Sequence, residues 1–214
     1  EGGEIPMYYD SMIAKLIVHG RDRSDAIARM RDALDAFVIR GISSNVQFQS
    51  ALLAHPRFQA GDFTTNFIAE EFPRGFHSED VRRDDPLFII ALAGAVNRRM
   101  LDRATGLSGQ LRGHAFVVRE DFVVAVRDPG GRDSYTAVRV KPTGGLMLVE
   151  VEGGGHYEFA LEGGMRDIRM SGYCNGKPFT AQVERERHGA ALRTTHRGAS
   201  IDAVGAPVAE DVVG

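Results

Sequence analysis

The sequence predicts an α+β protein whose first part is mixed α/β and whose second part combines one helix with about eight antiparallel strands. Three patterns predict this fold class. Apolar residues recur at helical spacing between 22 and 37, which indicates one buried helix face. Residues 87–93 are apolar on every side, and such a helix has to be surrounded by other structure. Beyond residue 105, apolar and polar residues alternate between glycine-rich turns, which is typical of antiparallel strands with one buried face.

Composition and charge exclude several classes of protein. The 214 residues are 43% hydrophobic and 26% charged, which is ordinary for a folded protein and excludes wholesale disorder. A formal net charge of −3 gives no electrostatic case for a nucleic-acid or membrane partner. The longest strongly apolar run, Leu87–Val96, is too short to span a bilayer. The single cysteine, Cys174, excludes an internal disulfide framework and a multi-cysteine metal site, and it fits a reducing compartment.

Five segments of the first 76 residues have the pattern of a regular element. Two are of strand length and three are helical: Glu4–Tyr9, Met12–Val18, Asp22–Phe37, Asn45–Leu53 and Thr64–Glu71. The first of the helices has Asp22 or Ser24 as its candidate N-cap and Gly41 as its stop signal. The chain opens at Glu1 with neither an initiator Met nor a basic leader, so it is expected to be cut from a longer polypeptide.

A polar stretch, His77–Asp85, is the best domain boundary in the chain. Asp84 and Asp85 followed by Pro86 predict the start of the apolar helix, because proline is favoured just after an N-cap. Four sets of alternating residues predict inward faces of strands: Met147, Val149 and Val151; Tyr157, Phe159 and Leu161; Ile168 and Met170; and Phe179, Ala181 and Val183. Two arrangements fit, a barrel filled by the helix and a sandwich with the helix packed on one flank.

No self-contained active site is predicted. The sequence has neither a GxxxxGK[ST] phosphate loop nor a GxSxG nucleophile elbow, and its closest two histidines, His188 and His196, do not have the spacing of a helical zinc site. No catalytic residue and no metal ligand is therefore assigned. The exception is the polar kink at Tyr9 and Asp10, between two predicted strands, which can face a cleft. Asp10 capping a turn explains the same pattern.

Several motifs of the first part resemble the end of biotin carboxylases, which belong to the ATP-grasp family. Residues 8–17, YYDSMIAKLI, closely resemble the family's YYD-[SP]-MI-[AG]-KLI segment. The resemblance continues through Arg23–Met30, Val38–Asn45 and Phe58–Thr65. It covers about residues 4–76 and implies that this part is the C-terminal lobe of a biotin carboxylase.

The second part resembles the domain that follows this lobe in α subunits of propionyl-CoA carboxylase and its relatives. In that family a helix lies within an eight-stranded antiparallel barrel, so the resemblance favours the barrel over the sandwich. It implies residues 1–76 as the end of the carboxylase domain, 77–83 as a linker, 84–203 as a subunit-docking domain, and 204–214 as linker or tail.

The family's reaction is ATP-dependent carboxylation of biotin, followed by carboxyl transfer to an acyl-CoA, which makes the full-length enzyme a ligase. The resemblance implies biotin, ATP and Mg²⁺ as cofactors of the full-length enzyme, with none expected to bind this segment. The Met-Lys-Met biotin-attachment motif is absent, since the only lysines are Lys15, Lys141 and Lys177. The expected location is the bacterial cytoplasm or the mitochondrial matrix.

The resemblance also implies partners and candidate contact residues. The partners are the carboxyltransferase β subunit and the biotin carboxyl carrier domain of the same chain. The segment from Thr105 to Gly113 is expected to contact the β subunit, with Leu107 and Leu111 as anchors. Tyr9 and Asp10 are expected to help shape the carboxylase cleft. Two alternatives remain: a ligand-binding β-barrel without a role in carboxylation, which requires an empty lumen, and an α subunit of the methylcrotonyl type.

Overall fold

The computed structural model of the protein describes residue 8 and residues 12–106, 118–127, 133–164, 166–185 and 191–207. Within these ranges, four short or medium helices come first, followed by a 3-10 turn, a long helix and eight strands. All eight strands belong to one closed antiparallel barrel. The α+β class predicted from the sequence is confirmed.

The four helices of the first part are α1 (Arg23–Ala36), α2 (Val46–Ala54), α3 (Pro56–Ala60) and α4 (Phe67–Glu71). Helix α1 has the predicted N-cap, because the Asp22 side chain accepts a 2.8 Å hydrogen bond from the backbone N–H of Asp25. Helices α2 and α4 lie where helices were predicted. Helix α3 was not predicted. It begins at Pro56, a position where the missing N–H of proline costs nothing.

The strand predicted over Met12–Val18 is wrong. Residues 12–20 have no regular secondary structure, and the side chains of Met12, Ile13 and Ile17 are exposed. An apolar run of strand length becomes a strand only beside another strand, and the described strands all pair within the barrel. The other predicted strand, Glu4–Tyr9, lies outside the described residues except for Tyr8, which is in a turn.

Helix α5 (Pro86–Thr105) follows a 3-10 turn over Ser78–Asp80 and contains the predicted apolar run. It starts as predicted, with Asp85 as N-cap and Pro86 in the first turn. Its buried residues occupy every side of the first half of the helix: Ile89, Ala91, Leu92, Ala93, Gly94, Ala95 and Val96. None of the helices in the described part of the chain combines the length and hydropathy that a membrane span requires.

The strands follow in barrel order. They are β1 (Asp121–Arg127), β2 (Asp133–Thr143), β3 (Leu146–Val151), β4 (Gly155–Glu162), β5 (Arg169–Cys174), β6 (Lys177–Arg185), β7 (Leu192–His196) and β8 (Ala199–Pro207). Each strand pairs antiparallel with the next, and β8 closes the barrel on β1, with Phe122 opposite Pro207. The predicted inward faces are confirmed, since Val149, Phe159, Met170 and Ala181 are all buried.

Helix α5 lies inside this ring of strands. Near its start, the ring of Phe88 packs against Phe159 of β4 and Phe179 of β6, with centroids 5.7 and 5.5 Å apart. Six residues further along the helix, a Cβ at Gly94 would lie 3.3 Å from a methyl group of Val138 on β2. Strands on different sides of the barrel therefore contact the same helix. The sandwich with a flanking helix is wrong, because a closed ring leaves the apolar helix only the lumen.

Candidate docking domain and its junction with the first part

The start of α5 is bonded to the inner wall of the barrel. The Asp85 carboxylate caps the helix by accepting hydrogen bonds from the backbone N–H groups of Leu87 and Phe88, at 3.1 and 3.2 Å. The hydroxyl of Tyr157, on β4, donates to the same carboxylate at 2.8 Å. Burial, followed by the hydrogen bond to Asp85, raises the pKa of Tyr157, which keeps the phenol a donor. The helix start is thus fixed relative to β4.

Arginine side chains bond the far half of α5 to the rim of the barrel. The guanidinium of Arg98 donates to the carbonyl oxygens of Arg119 and Val140, both at 3.1 Å, and to Asp102 at 2.8 Å. Arg99 donates to the carbonyl oxygen of Gly163 at 2.8 Å. The accepting carbonyls lie before β1, within β2 and just after β4, and they are paired with charged donors, which form the stronger class of hydrogen bond. The helix is therefore held at both ends.

Helix α1 and the turn between β7 and β8 form the junction between the two parts of the chain, which we define by Asp32, Asp35, Gln182, His196 and Arg197. The Asp35 carboxylate accepts a 2.7 Å hydrogen bond from the backbone N–H of Arg197, and the guanidinium of Arg197 reaches Asp32 at 2.6 Å. The amide of Gln182, on β6, donates to the carbonyl oxygens of Asp35 and Phe37 at 3.1 and 3.3 Å. The junction thus uses both backbone and side-chain groups from each part.

Two further ion pairs connect the parts on either side of the junction. Arg31 of α1 pairs with Asp84 at 2.7 Å, just before α5 begins. Arg40, beyond the end of α1, pairs with Glu184 of β6. These pairs are partly exposed, so each contributes little on its own. Together with the junction, they join the first part to the barrel at three separate points.

Two titratable groups of the junction are buried with shifted pKa values. Burial raises the pKa of Asp35 to about 7 from its ordinary 3.8, with the nearby Arg197 opposing the shift. Burial also lowers the pKa of His196 to about 4 from 6.5. The Nδ1 atom of His196 lies 2.9 Å from the carbonyl oxygen of Thr180 and 3.5 Å from an Asp35 carboxylate oxygen. Both groups are therefore favoured in their neutral forms at pH 5–6.

The β7–β8 turn approaches helix α2 too closely for any side chain at its second position. Gly198 has φ +79°, and a Cβ built on it would lie 2.5 Å from the Cβ of Ser50. The sequence identifies Arg197 and Gly198 as a turn but does not predict what the turn contacts. Both the left-handed backbone and the close approach require glycine here.

A cleft opens at the C-terminal end of α5, where the helix does not fill the space between itself and strands β5 to β7. We call it the α5-end cleft; its volume is about 570 Å³. Its apolar lining is Val96, Met100, Ile168, Met170, Val183 and Leu192. Its charged lining is Arg40, Arg103, Arg166, Arg185, Asp167 and Glu184. Among the described residues, α5 therefore occupies the lumen and leaves this space beside its C-terminal end.

The candidate site residues taken from the sequence fall on segments that the structure leaves out. Tyr9 and Asp10, proposed for the carboxylase cleft, and Leu107 and Leu111, proposed for docking, lie outside the described residues. The structure instead identifies residues that sequence reasoning missed, above all Asp35 and Arg197. The helical pattern places Asp35 with Arg31 and Asp32 on the polar side of the predicted helix, so the sequence contains no signal that this carboxylate is buried.

The described residues do not form a metal site. Within the described ranges, no group of three or more His, Cys, Asp or Glu side chains lies close enough together to hold a metal ion. The residues present thus do not fit Mg²⁺, and we derive no step through a bound metal or nucleotide. That this segment binds no cofactor stays a prediction.

Comparison with known proteins assigns both parts. The model of the biotin carboxylase C-terminal domain matches residues 1–70, and the model of the propionyl-coenzyme A carboxylase BT domain matches residues 89–209. The second match covers the barrel and most of α5, which is more than half of the chain. The chain belongs to the propionyl-coenzyme A carboxylase BT domain family. The relationship predicted from the sequence motifs is confirmed for both parts.

Known relatives align with most or with part of the chain. A propionyl-CoA carboxylase alpha chain from Ruegeria pomeroyi is 36% identical over 201 residues, which cover 94% of this chain and 28% of the relative. The mitochondrial propionyl-CoA carboxylase alpha chain of Homo sapiens is 32% identical over 152 residues, covering 71% of this chain and 21% of the relative. Biotin carboxylase 1 of Bacillus subtilis is 52% identical over 67 residues, covering 31% of this chain and 15% of the relative. The chain therefore spans less than a third of the length of these relatives.

Proposed function

We propose that this chain is part of the α chain of a biotin-dependent acyl-CoA carboxylase of the propionyl type. Its first part completes the biotin carboxylase lobe, and its barrel docks the carboxyltransferase β subunit. The proposal rests above all on the junction, where Asp35 of the carboxylase-type segment accepts a hydrogen bond from Arg197 of the BT-family barrel. A barrel bonded in this way to the carboxylase segment can position a partner relative to it.

The exposed apolar surface of the first part supports its assignment as the end of a larger lobe. Ile13, Ile17, Ile42 and Ile68 are 56%, 76%, 55% and 53% exposed. Exposed large apolar side chains concentrated in one part of a protein mark a contact surface. By contrast, the barrel buries its inner face against α5. We infer that the remainder of the carboxylase lobe covers these isoleucines.

An adaptor role fits the barrel better than ligand binding in the lumen. A ligand-binding barrel needs a cavity in the middle of its lumen, and here α5 occupies that position, with Leu92 fully buried; the space that remains lies at the C-terminal end of the helix. The strand exteriors and the loops at the two ends then remain as surfaces for a partner. A docking function needs only such surfaces.

The other components of the enzyme are proposed from the family. Biotin, ATP and Mg²⁺ would serve the full-length enzyme, with the biotin on a carrier domain of the same chain. Tyr9 and Asp10 would help shape the carboxylase cleft, and residues 77–83 would link it to the docking domain. The enzyme would act in the bacterial cytoplasm or the mitochondrial matrix.

Changing the proposed docking residues in the full-length α chain tests this function. Leu107→Asp together with Leu111→Asp is expected to prevent co-purification with the β subunit. Carboxylation of free biotin by ATP and bicarbonate should persist, because the carboxylase lobe is untouched. Tyr135→Asp is the control, since Tyr135 is 68% exposed on β2 toward the opposite end of the barrel. Unchanged assembly of the double variant would remove Leu107 and Leu111 as docking anchors.

Substrate comparison tests the acyl-CoA class. The assembled enzyme is expected to carboxylate propionyl-CoA in preference to 3-methylcrotonyl-CoA, because the second part matches the propionyl-type BT domain. A preference for 3-methylcrotonyl-CoA would move the chain to the methylcrotonyl type while leaving its role as an α subunit in place.

A further inference from the structure

We infer that the α5-end cleft binds an acidic segment of the β subunit that carries an apolar anchor side chain. This inference rests on the proposed docking function and specifies where and by what chemistry part of the docking occurs. It depends on three observations: the apolar floor of the cleft, its arginine rim, and the short distance along the chain between Arg103 and the predicted docking segment.

The floor of the cleft is apolar because it lies between α5 and the inward faces of the strands β5 to β7. Val96 and Met100 of α5 face Met170 of β5, Val183 of β6 and Leu192 of β7 across the gap. The volume of about 570 Å³ lies within the ordinary range for sites that bury a ligand group. An apolar side chain inserted here would bury area on both the helix and the strands, which is what a docking anchor does.

The rim of the cleft carries an excess of positive charge. Its four arginines face only two carboxylates, in a chain whose net charge is −3. Both carboxylates already have partners, since Glu184 pairs with Arg40 and Asp167 accepts a 2.7 Å hydrogen bond from the N–H of Gly164. Among the described residues, no carboxylate forms an ion pair with Arg103, Arg166 or Arg185. Guanidinium groups recognise carboxylates through paired hydrogen bonds, so the rim fits an acidic partner.

The position of the cleft connects it to the proposed interface. Arg103 lies in the last turn of α5, immediately before the segment Thr105–Gly113 that carries Leu107 and Leu111. Arg103 and the predicted docking segment are therefore close along the chain. A β subunit that contacts the segment after α5 is in reach of the cleft.

Charge reversal of the rim tests the inference. The variant Arg103→Glu, Arg166→Glu, Arg185→Glu is made in the full-length α chain, and the Kd for the purified β subunit is measured at low and high salt. The Kd is expected to rise at least about tenfold at low salt, with a weaker dependence on salt than in the wild-type complex. The control variant Arg82→Glu, Arg83→Glu changes exposed arginines before α5 and should leave the Kd unchanged. Circular dichroism and thermal unfolding of each α chain report that the barrel is folded in every variant.

The possible results separate this inference from the proposed function. An unchanged Kd in the triple variant, while Leu107→Asp with Leu111→Asp abolishes assembly, would overturn the cleft inference and leave the docking function standing. Failure of the wild-type chain to bind the β subunit at all would overturn the docking function itself. Residues 208–214, which contain Glu210 and Asp211, are the competing occupant. A second variant, Glu210→Lys with Asp211→Lys, tests this occupant. If it and the triple variant both lower the stability of the isolated α chain and neither changes the Kd for the β subunit, the tail occupies the cleft and the inference is wrong.

Discussion

The Asp35 carboxylate and the backbone N–H of Arg197 are 2.7 Å apart although 162 residues separate them in the chain. Asp35 belongs to α1 in the first part, and Arg197 to the turn between the last two strands of the barrel. The side chain of Asp35 is almost fully buried, so this contact is shielded from solvent. Hydrogen bonds of a buried carboxylate are costly to break, which makes this contact a specific determinant of how the two parts are arranged.

The pH dependence of stability tests the protonation states of Asp35 and His196. The contribution of Asp35 to the free energy of unfolding is fully present below its unfolded pKa of 3.8, because the folded chain holds the proton more tightly. This contribution is lost as pH rises through the folded pKa of about 7. Stability from His196 is present above its unfolded pKa of 6.5 and is lost as pH falls toward about 4. Between about pH 4 and 6.5 the two contributions therefore change in opposite directions and largely cancel.

Single replacements should reveal each contribution. The free energy of unfolding of Asp35→Asn should increase as pH rises from 4 to 6.5, because only the His196 contribution remains. Over the same range, that of the wild-type chain should change little. His196→Gln should lose unfolding free energy as pH rises over the range from about 4 to 7. The largest slope is about 1.4 kcal/mol per pH unit for one proton. Urea unfolding at pH 4.5, 5.5 and 6.5 measures the free energy of unfolding of each variant. If that free energy changed with pH in the same direction in both variants, the proposed protonation states would be contradicted.

Replacing Gly198 tests the contact between the β7–β8 turn and helix α2. Gly198→Ala places a methyl group 2.5 Å from the Cβ of Ser50, at φ +79°. Gly176→Ala is a matched control, since its φ of +75° is similar and no atom lies within 4 Å of the added carbon. The free energy of unfolding of the control should fall by about 1 kcal/mol, because alanine is strained in the left-handed backbone conformation. Gly198→Ala should lose more in urea unfolding, and equal losses would show that the turn does not press on Ser50.

Replacing Gly94 tests whether α5 fills the barrel. Gly94→Leu puts a large side chain against Val138, Val140 and Val124 on the inner wall. It should cost about 1–3 kcal/mol or more in the free energy of unfolding, because a filled core resists added volume. Ala104→Leu, at an exposed position of the same helix, should be nearly neutral. A Gly94→Leu variant as stable as the control would place the helix outside the lumen.

Removing one hydroxyl tests the cap at the start of α5. Tyr157→Phe deletes the donor that lies 2.8 Å from the Asp85 carboxylate and leaves the ring in place. The expected loss in the free energy of unfolding is about 1.5–3 kcal/mol, the range for a hydrogen bond to a charged group. Tyr173→Phe on β5 is the control, because Tyr173 is half-exposed. Thermal unfolding should show a lower Tm for Tyr157→Phe alone, and no difference between the two variants would contradict the role of the cap contact.

The sequence predicted most of the regular structure, because those elements depend on neighbouring residues. The N-cap at Asp22 and the cap and proline before α5 were correct, and so were the inward faces of β3 to β6. The strand over Met12–Val18 was wrong, because strand formation depends on a partner that the sequence pattern does not supply. Helix α3 was missed, because the proline before which α2 ends is also the first residue of the next helix, where its missing N–H costs nothing.

By itself, the sequence determined the class of the fold, the family and the chemical character of each element. The apolar helix and the alternating strands follow from local periodicity, and the motif YYDSMIAKLI that carries the family resemblance is read directly from the chain. Only the tertiary structure decided that the helix lies inside the barrel, that Asp35 meets Arg197, and that four arginines gather around one cleft. These relationships join residues far apart in the chain, and their energies come from burial and close approach, which exist only once the barrel has closed.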